Sequence, residues 1–154
     1  MDRIVAWFCA VVGAATMPIF EFFYGHGEPT RAFMTALLFF IILDWMSGIR
    51  ASKRDHTYGS KYGIDGVFRT FFMFLLPAGG NLLDKALQLP GIAFGAMICG
   101  LLYHVIQSMI ANSIRAGWAD WLPLSVLERL SEWVKSELDK KVNRSKKRKD
   151  ETSG

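Results

Sequence analysis

A chain of 154 residues has room for one domain and little more. Half of those residues are apolar (51%), the formal charge is +4, and the two properties are segregated along the chain. A soluble helical bundle would carry a polar face on most of its helices, so the segregation points to an all-α integral membrane protein with about four transmembrane helices.

The first apolar stretch runs over residues 4–24. Its start, with Arg3 ahead of Ile4 and small residues at Gly13 to Ala15, imitates a secretory signal peptide. The apolar run continues through Ile19, Phe20, Phe22 and Phe23, past the would-be cleavage point, and this favours a retained first span. Gly25 to Thr30 has turn composition, and Thr30 is placed to cap the next helix. A second span covers 32–49 and closes on Asp44-Trp45-Met46-Ser47-Gly48-Ile49-Arg50.

Residues 51–66 are polar, basic and punctuated by glycine, so a solvent loop is expected there. The third span, 67–84, contains Pro77-Ala78-Gly79-Gly80. Proline removes a backbone hydrogen bond and glycine adds no stiffness, so the sequence predicts a kink or break. Leu89-Pro90-Gly91 opens a fourth span over 91–114, followed by the interfacial aromatics Trp118 and Trp121. With roughly 20 helical residues needed to cross a 30 Å hydrocarbon core, two stretches reach the length and two fall slightly short. Residues 1–122 thus form a transmembrane domain.

Residues 123–142 differ in kind. Leu127, Leu130, Val134 and Leu138 recur at helical spacing among Glu128, Arg129, Glu132, Lys135, Glu137, Lys140 and Lys141. This is an amphipathic cytoplasmic helix suited to lie on the membrane or to pair with a copy of itself. The end of the chain, 143–154, is a charge-rich tail expected to be disordered.

Charge sets the orientation. With four spans, sixteen of the eighteen basic residues fall on one side, and only Arg31 and Lys85 lie opposite. The positive-inside rule places that side, with both termini, in the cytoplasm of a bacterial cell.

No catalytic or cofactor chemistry is visible. His26, His56 and His104 lack metal-ligand spacing, no nucleophile elbow or phosphate loop occurs, and Cys9 and Cys99 sit inside apolar stretches as packing residues. The polar residues inside the spans are the informative ones. Asp44 lies roughly 9 Å inside the helix end marked by Arg50. Arg69, at the same membrane face of span three, is its nearest basic candidate. Three roles stay open: an ion pair fixing the hairpin of spans two and three, a polar group in a channel or oligomer seam, and a proton-coupled transport site. Gly100, His104, Gln107, Ser108, Asn112 and Arg115 share one face of span four, preceded by the small-residue patterns Gly91 to Gly95 and Ala96 to Gly100. That stripe suits packing against span three, where Asn81 and Asp84 also need partners, or a homo-oligomer seam or wet lumen. Lys146, Lys147, Arg148 and Lys149 fit an anchor to anionic lipid that tunes assembly, rather than a nucleic-acid patch.

Four blocks, taken together, resemble the phage-lysis and toxin-secretion holin family. Leu43 to Gly48 is similar to its Leu-Asp-aromatic-x-Thr/Ser-Gly signature. Gly59-Ser60-Lys61-Tyr62-Gly63-Ile64-Asp65-Gly66 resembles its two-glycine loop, with Gly59 where a second Ser or Thr is usual. Asn81 to Asp84 matches its next recurrent block, and Tyr103 to Gly117 with Leu122-Pro123 looks like its last span and exit. Members often carry an Asn-Glu pair and a later Asn where this chain has Gln107 and Asn112, so no carboxylate role transfers there. The resemblance covers about residues 32–140. It implies a small phage-encoded membrane protein that assembles into lesions through which an endolysin, or a toxin, reaches the cell wall. A small four-span transporter and a membrane scaffold that recruits a soluble partner through its C-terminal helix are the other readings of the residues.

Overall fold

A computed structural model describes residues 2–152, with side chains except at positions 2, 8, 9, 11, 15, 60–62, 138, 141, 142 and 144–152. Those residues form five helices: α1 Asp2–Tyr24, α2 Glu28–Arg54, α3 Ser60–Ala86, α4 Ile92–Ala116 and α5 Leu124–Thr152. Each of α1 to α4 is long and apolar enough to cross a membrane. Their outward surfaces carry large apolar side chains, among them Trp7, Phe39, Ile42, Phe68, Phe71 and Phe72, each at least half exposed. A protein in water rarely displays so much apolar surface, and in lipid that surface is solvated. The fold is that of an all-α membrane protein.

The links are shorter than their composition suggests. The polar segment 51–66 is a loop only over residues 55–59. α2 runs on to Arg54 because Ala51 and Ser52 are buried, at 0% and 1% exposure, and packing keeps the chain helical there. α3 already starts at Ser60, so Ser60, Gly63 and Gly66 belong to its opening turns and not to a loop. At the start of α2, Gly27 occupies the N-cap with φ 109° and Pro29 fits within the first turn. Thr30 is not the cap; its hydroxyl turns back to the His26 carbonyl at 3.4 Å.

α3 is continuous through Pro77, whose ring is fully buried, so the expected break does not occur. The two glycines that follow have unequal roles. A methyl group on Gly80 would stand 2.9 Å from the Ala93 carbonyl oxygen and 3.0 Å from the Phe94 α carbon, whereas one on Gly79 would meet open space. Gly80 therefore lets α3 and α4 touch backbone to backbone, the close approach that small residues allow in membranes.

α4 is the hub. It packs against α2, α3 and α5, and α1 packs mainly on α3. Phe94, Ile98, Leu102, Val105, Ile106 and Ile110 of α4 build the core with Met34, Leu37 and Ile41 of α2, Met73 of α3 and Val134 of α5. Cys99 is part of that core; the side chain of Cys9 lies outside the described residues.

α5 departs most from expectation. It does not stand apart as a surface helix but folds back along α4, with Leu124, Leu127 and Leu130 packed on the core and Ser131 fully buried. It also continues to Thr152, so residues 143–152 extend the helix where a disordered tail was expected. The run is rich in Lys and Arg, which are good helix formers, and holds no proline or glycine before Gly154.

Candidate functional site

Two polar clasps hold the ends of the membrane bundle. The first joins the C-terminal parts of α2 and α4 to the start of α3. Asp44 is 3% exposed. Its Oδ2 accepts a hydrogen bond from Arg69 Nη2 at 3.1 Å, and its Oδ1 accepts one from Asn112 Nδ2 at 2.9 Å. Both carboxylate oxygens thus meet donors, and the charge is paired, as a carboxylate withdrawn from water requires. Arg115 extends the network, donating to the Asn112 amide oxygen at 3.2 Å and to Asp55 Oδ2 at 2.7 Å.

Next to this clasp, Trp45 lies over Gly66, whose missing methyl would come within 3.3 Å of the indole ring. The indole N–H donates to Thr70 Oγ1 at 3.0 Å. Trp45, Ile49, Tyr58, Gly63, Gly66 and Arg69 line a cavity of about 200 Å³ beside it. Gly48 is buried in α2, and Gly63 faces open space. At the C-terminus of α4, the Arg54 guanidinium lies directly over Gly117, which adopts φ 79°. Glycine is needed there for both the backbone conformation and the space, and the cation complements the helix dipole.

The second clasp is at the opposite end. Asp84 of α3 is 5% exposed, and its two oxygens each accept a 2.8 Å bond, from the backbone N–H of Ala93 and of Phe94. Those N–H groups are orphans of the first turn of α4, and Gly91 at its N-cap has no side chain to meet them. Asp84 does the work of an N-cap from a neighbouring helix. Asn81 Nδ2 donates to the carbonyls of Phe22 and Phe23, at 3.3 and 2.9 Å, and Lys85 Nζ to that of Phe22 at 2.7 Å, closing the C-terminal end of α1.

The polar stripe of α4 does not act as one surface. Asn112 and Arg115 turn to the first clasp, while Gln107 Nε2 donates to Ser131 Oγ of α5 at 2.9 Å. His104 is exposed in an outward groove with Phe68 and Leu101, Ser108 is half-buried, and a methyl on Gly100 would touch nothing within 4 Å. Gly95 is buried in the core-facing side, and Gly91 stands free with φ 73°. Asn81 and Asp84, expected to face the stripe, bind instead the end of α1 and the start of α4. The side chains of Ser60, Lys146, Lys147, Arg148 and Lys149 lie outside the described residues.

Sequence reasoning missed Asp55, Thr70, Arg54 and Ser131, because each partner sits on a different element and no spacing links them. Among the described residues no group of acidic, histidine or cysteine side chains is arranged to hold a metal ion. No buried side-chain polar atom among them lacks a partner. The chemistry on view is helix-to-helix fastening.

The profile of the bacteriophage holin family matches residues 19–136, a stretch that takes in the end of α1, spans α2 to α4 and the packed part of α5. The chain belongs to the bacteriophage holin family. Both clasps of this holin-family chain, Asp44 with Arg69 and Asn112, and Asp84 with the start of α4, fall within the matched region. The chain is also 25% identical over 119 residues to an uncharacterized protein of Halalkalibacterium halodurans, covering 76% of this chain and 83% of that one. No solved structure matches. A holin-like membrane protein is thus the coarse identity, and the family is not a family of enzymes.

Proposed function

We propose that this chain accumulates in the cytoplasmic membrane of a bacterial host, self-associates, and opens lesions that let an endolysin, or a toxin, reach the cell wall. The family match over residues 19–136 carries the reading. The clasps support it. Asp44, the carboxylate that a transporter would need free for ions or protons, has both oxygens bonded within the chain. Association between copies then rests on the outward surfaces, through many small packing terms, because lipid supplies no hydrophobic force between helices. In this reading both termini are cytoplasmic, anionic lipid holds the basic residues, and the endolysin is a functional partner that the chain does not bind.

Induction in a bacterium with and without a co-expressed endolysin tests the proposal. A holin stops growth by itself and clears the culture only with the endolysin. Continued growth at normal membrane levels of the protein rejects the reading, and substrate-dependent proton flux without loss of viability would favour a transporter.

A further inference from the structure

The cavity beside the first clasp gathers groups that the clasp does not use. Two aromatic walls, Trp45 and Tyr58, stand with a carboxylate, Asp65, and a guanidinium, Arg69, around the space left by Gly63. Arg69 commits Nη2 to Asp44 and makes no other hydrogen bond among the described residues, although a guanidinium carries five N–H groups. Asp65 is exposed and forms no ion pair among the described residues. Because both oxygens of Asp44 are bonded, Asp44 and Arg69 count as a neutral pair. Lys53, whose Nζ stands 5.3 Å from the centre of the Tyr58 ring, balances Asp65. The cavity and its rim thus hold separated charges of both signs and no net charge.

Its position suits a phospholipid. The apolar span of α3 covers Gly63–Ala86, 24 residues or about 36 Å of helix, so its ends stand in the headgroup layers that flank a hydrocarbon core about 30 Å thick. Asp65, Arg69, Phe72 and Leu76 follow one another at i, i+4, i+7 and i+11 and lie along one stripe of that helix. The first two line the cavity. The other two line an outward apolar groove with Leu101 of α4, and Arg69 borders that groove as well. A polar cavity of about 200 Å³ at headgroup level therefore continues, past Arg69, into an apolar groove that runs toward the middle of the membrane.

We propose that this slot binds a zwitterionic phospholipid with a primary ammonium headgroup, of the phosphatidylethanolamine class. The phosphate accepts hydrogen bonds from the uncommitted N–H groups of Arg69, whose planar fork matches phosphate oxygens. The ammonium lies between the Asp65 carboxylate and the faces of Trp45 and Tyr58, since aromatic faces attract cations. One acyl chain follows Phe72 and Leu76 along the groove. The wall is preformed: Gly66 gives the indole of Trp45 its seat and Thr70 accepts its N–H. An anionic headgroup without the ammonium would leave its charge beside an unpaired Asp65. The inference concerns the chain in its membrane and does not depend on hole formation.

The test is native mass spectrometry of the full chain, released from detergent micelles that hold equal amounts of phosphatidylethanolamine and phosphatidylglycerol. The unmodified protein should retain the first lipid several-fold over the second. A side chain at either Gly63 or Gly79 meets open space, but only Gly63 lines the cavity. Gly63→Leu should therefore lose phosphatidylethanolamine several-fold, and Gly79→Leu should keep it. Asp65→Asn leaves Arg69 in place and should retain the two lipids alike. Equal retention of both lipids by the unmodified protein overturns the proposal, as does an unchanged lipid ratio in Asp65→Asn or the same behaviour of the two leucine variants. Soluble glycerophosphoethanolamine bound as tightly as the lipid would overturn the lipid assignment.

Discussion

Asn112 of α4 donates its side-chain amide to the carboxylate of Asp44 of α2 at 2.9 Å, across 68 positions of the chain. With Arg69 on the other oxygen, one buried acid ties three spans together. Its partners are not equivalent. Arg69 is 47% exposed and can be solvated alone, whereas Asp44, at 3%, cannot. Arg69→Leu strands a buried charge, at a cost of about 3–5 kcal/mol. Asn112→Leu removes one neutral donor, costing about 1–3 kcal/mol. Asp44→Asn removes the charge while keeping an acceptor and should be mildest. Melting of the purified protein in detergent should rank the variants in that order, and Asp44→Asn as the worst of the three would refute the account.

Asp84→Ala takes both acceptors from the first turn of α4. Loss of a cap and of a favourable charge at a helix N-terminus is worth about 2 kcal/mol. Asp84→Asn keeps one acceptor and should fall between. Protease cutting at the 87–91 link, compared among the three proteins, reads the loosening of this end; equal resistance would show that the contact contributes nothing.

Adjacent glycines should respond in opposite ways. Gly80→Ala forces a methyl into the backbone of Ala93 and Phe94, an overpacking that costs about 1–3 kcal/mol. Gly79→Ala meets open space and should gain about 0.5–1 kcal/mol, because alanine is the better helix residue. Thermal melts of the two variants decide the matter, and similar shifts would place the α3–α4 contact elsewhere.

The orientation expected from the basic residues is open to a direct test. In otherwise cysteine-free protein, a membrane-impermeant thiol reagent added to intact cells before lysis should label Glu28→Cys. It should not label Thr57→Cys or Asp120→Cys. Labelling of position 57 from outside would invert the arrangement.

Truncation after Val142 removes Lys146, Lys147, Arg148 and Lys149 but retains the part of α5 that packs on α4. Five of the six residues at 144–149 are basic, and like charges on neighbouring copies repel over a screening length of about 8 Å. The truncated chain should still lyse cells, with an earlier onset at matched protein level. Lysis that disappears while insertion and level are normal would make the tail a required part of the lesion.

The sequence alone established four apolar helices, their order and the change of character at residue 123, because the hydrophobic length of a span and the segregation of charge are local properties that any bilayer enforces. Asp44 and Arg69 could be considered together from the sequence because consecutive spans return to the same membrane face. Tertiary structure decided the rest. Asn112 reaches Asp44, and Asp84 reaches the N–H groups of Ala93 and Phe94, only through the crossing of α4 with α2 and α3. The Pro77 to Gly80 segment reads locally as a breaker, yet a buried ring and a backbone contact keep it helical. The amphipathic pattern of α5 fixed which residues share a face but not what that face meets: the same apolar stripe would satisfy a membrane surface, a second copy or α4. The fit of Leu127, Ser131 and Val134 against α4 selects the last, since packing depends on the shape of a neighbour that no single helix encodes.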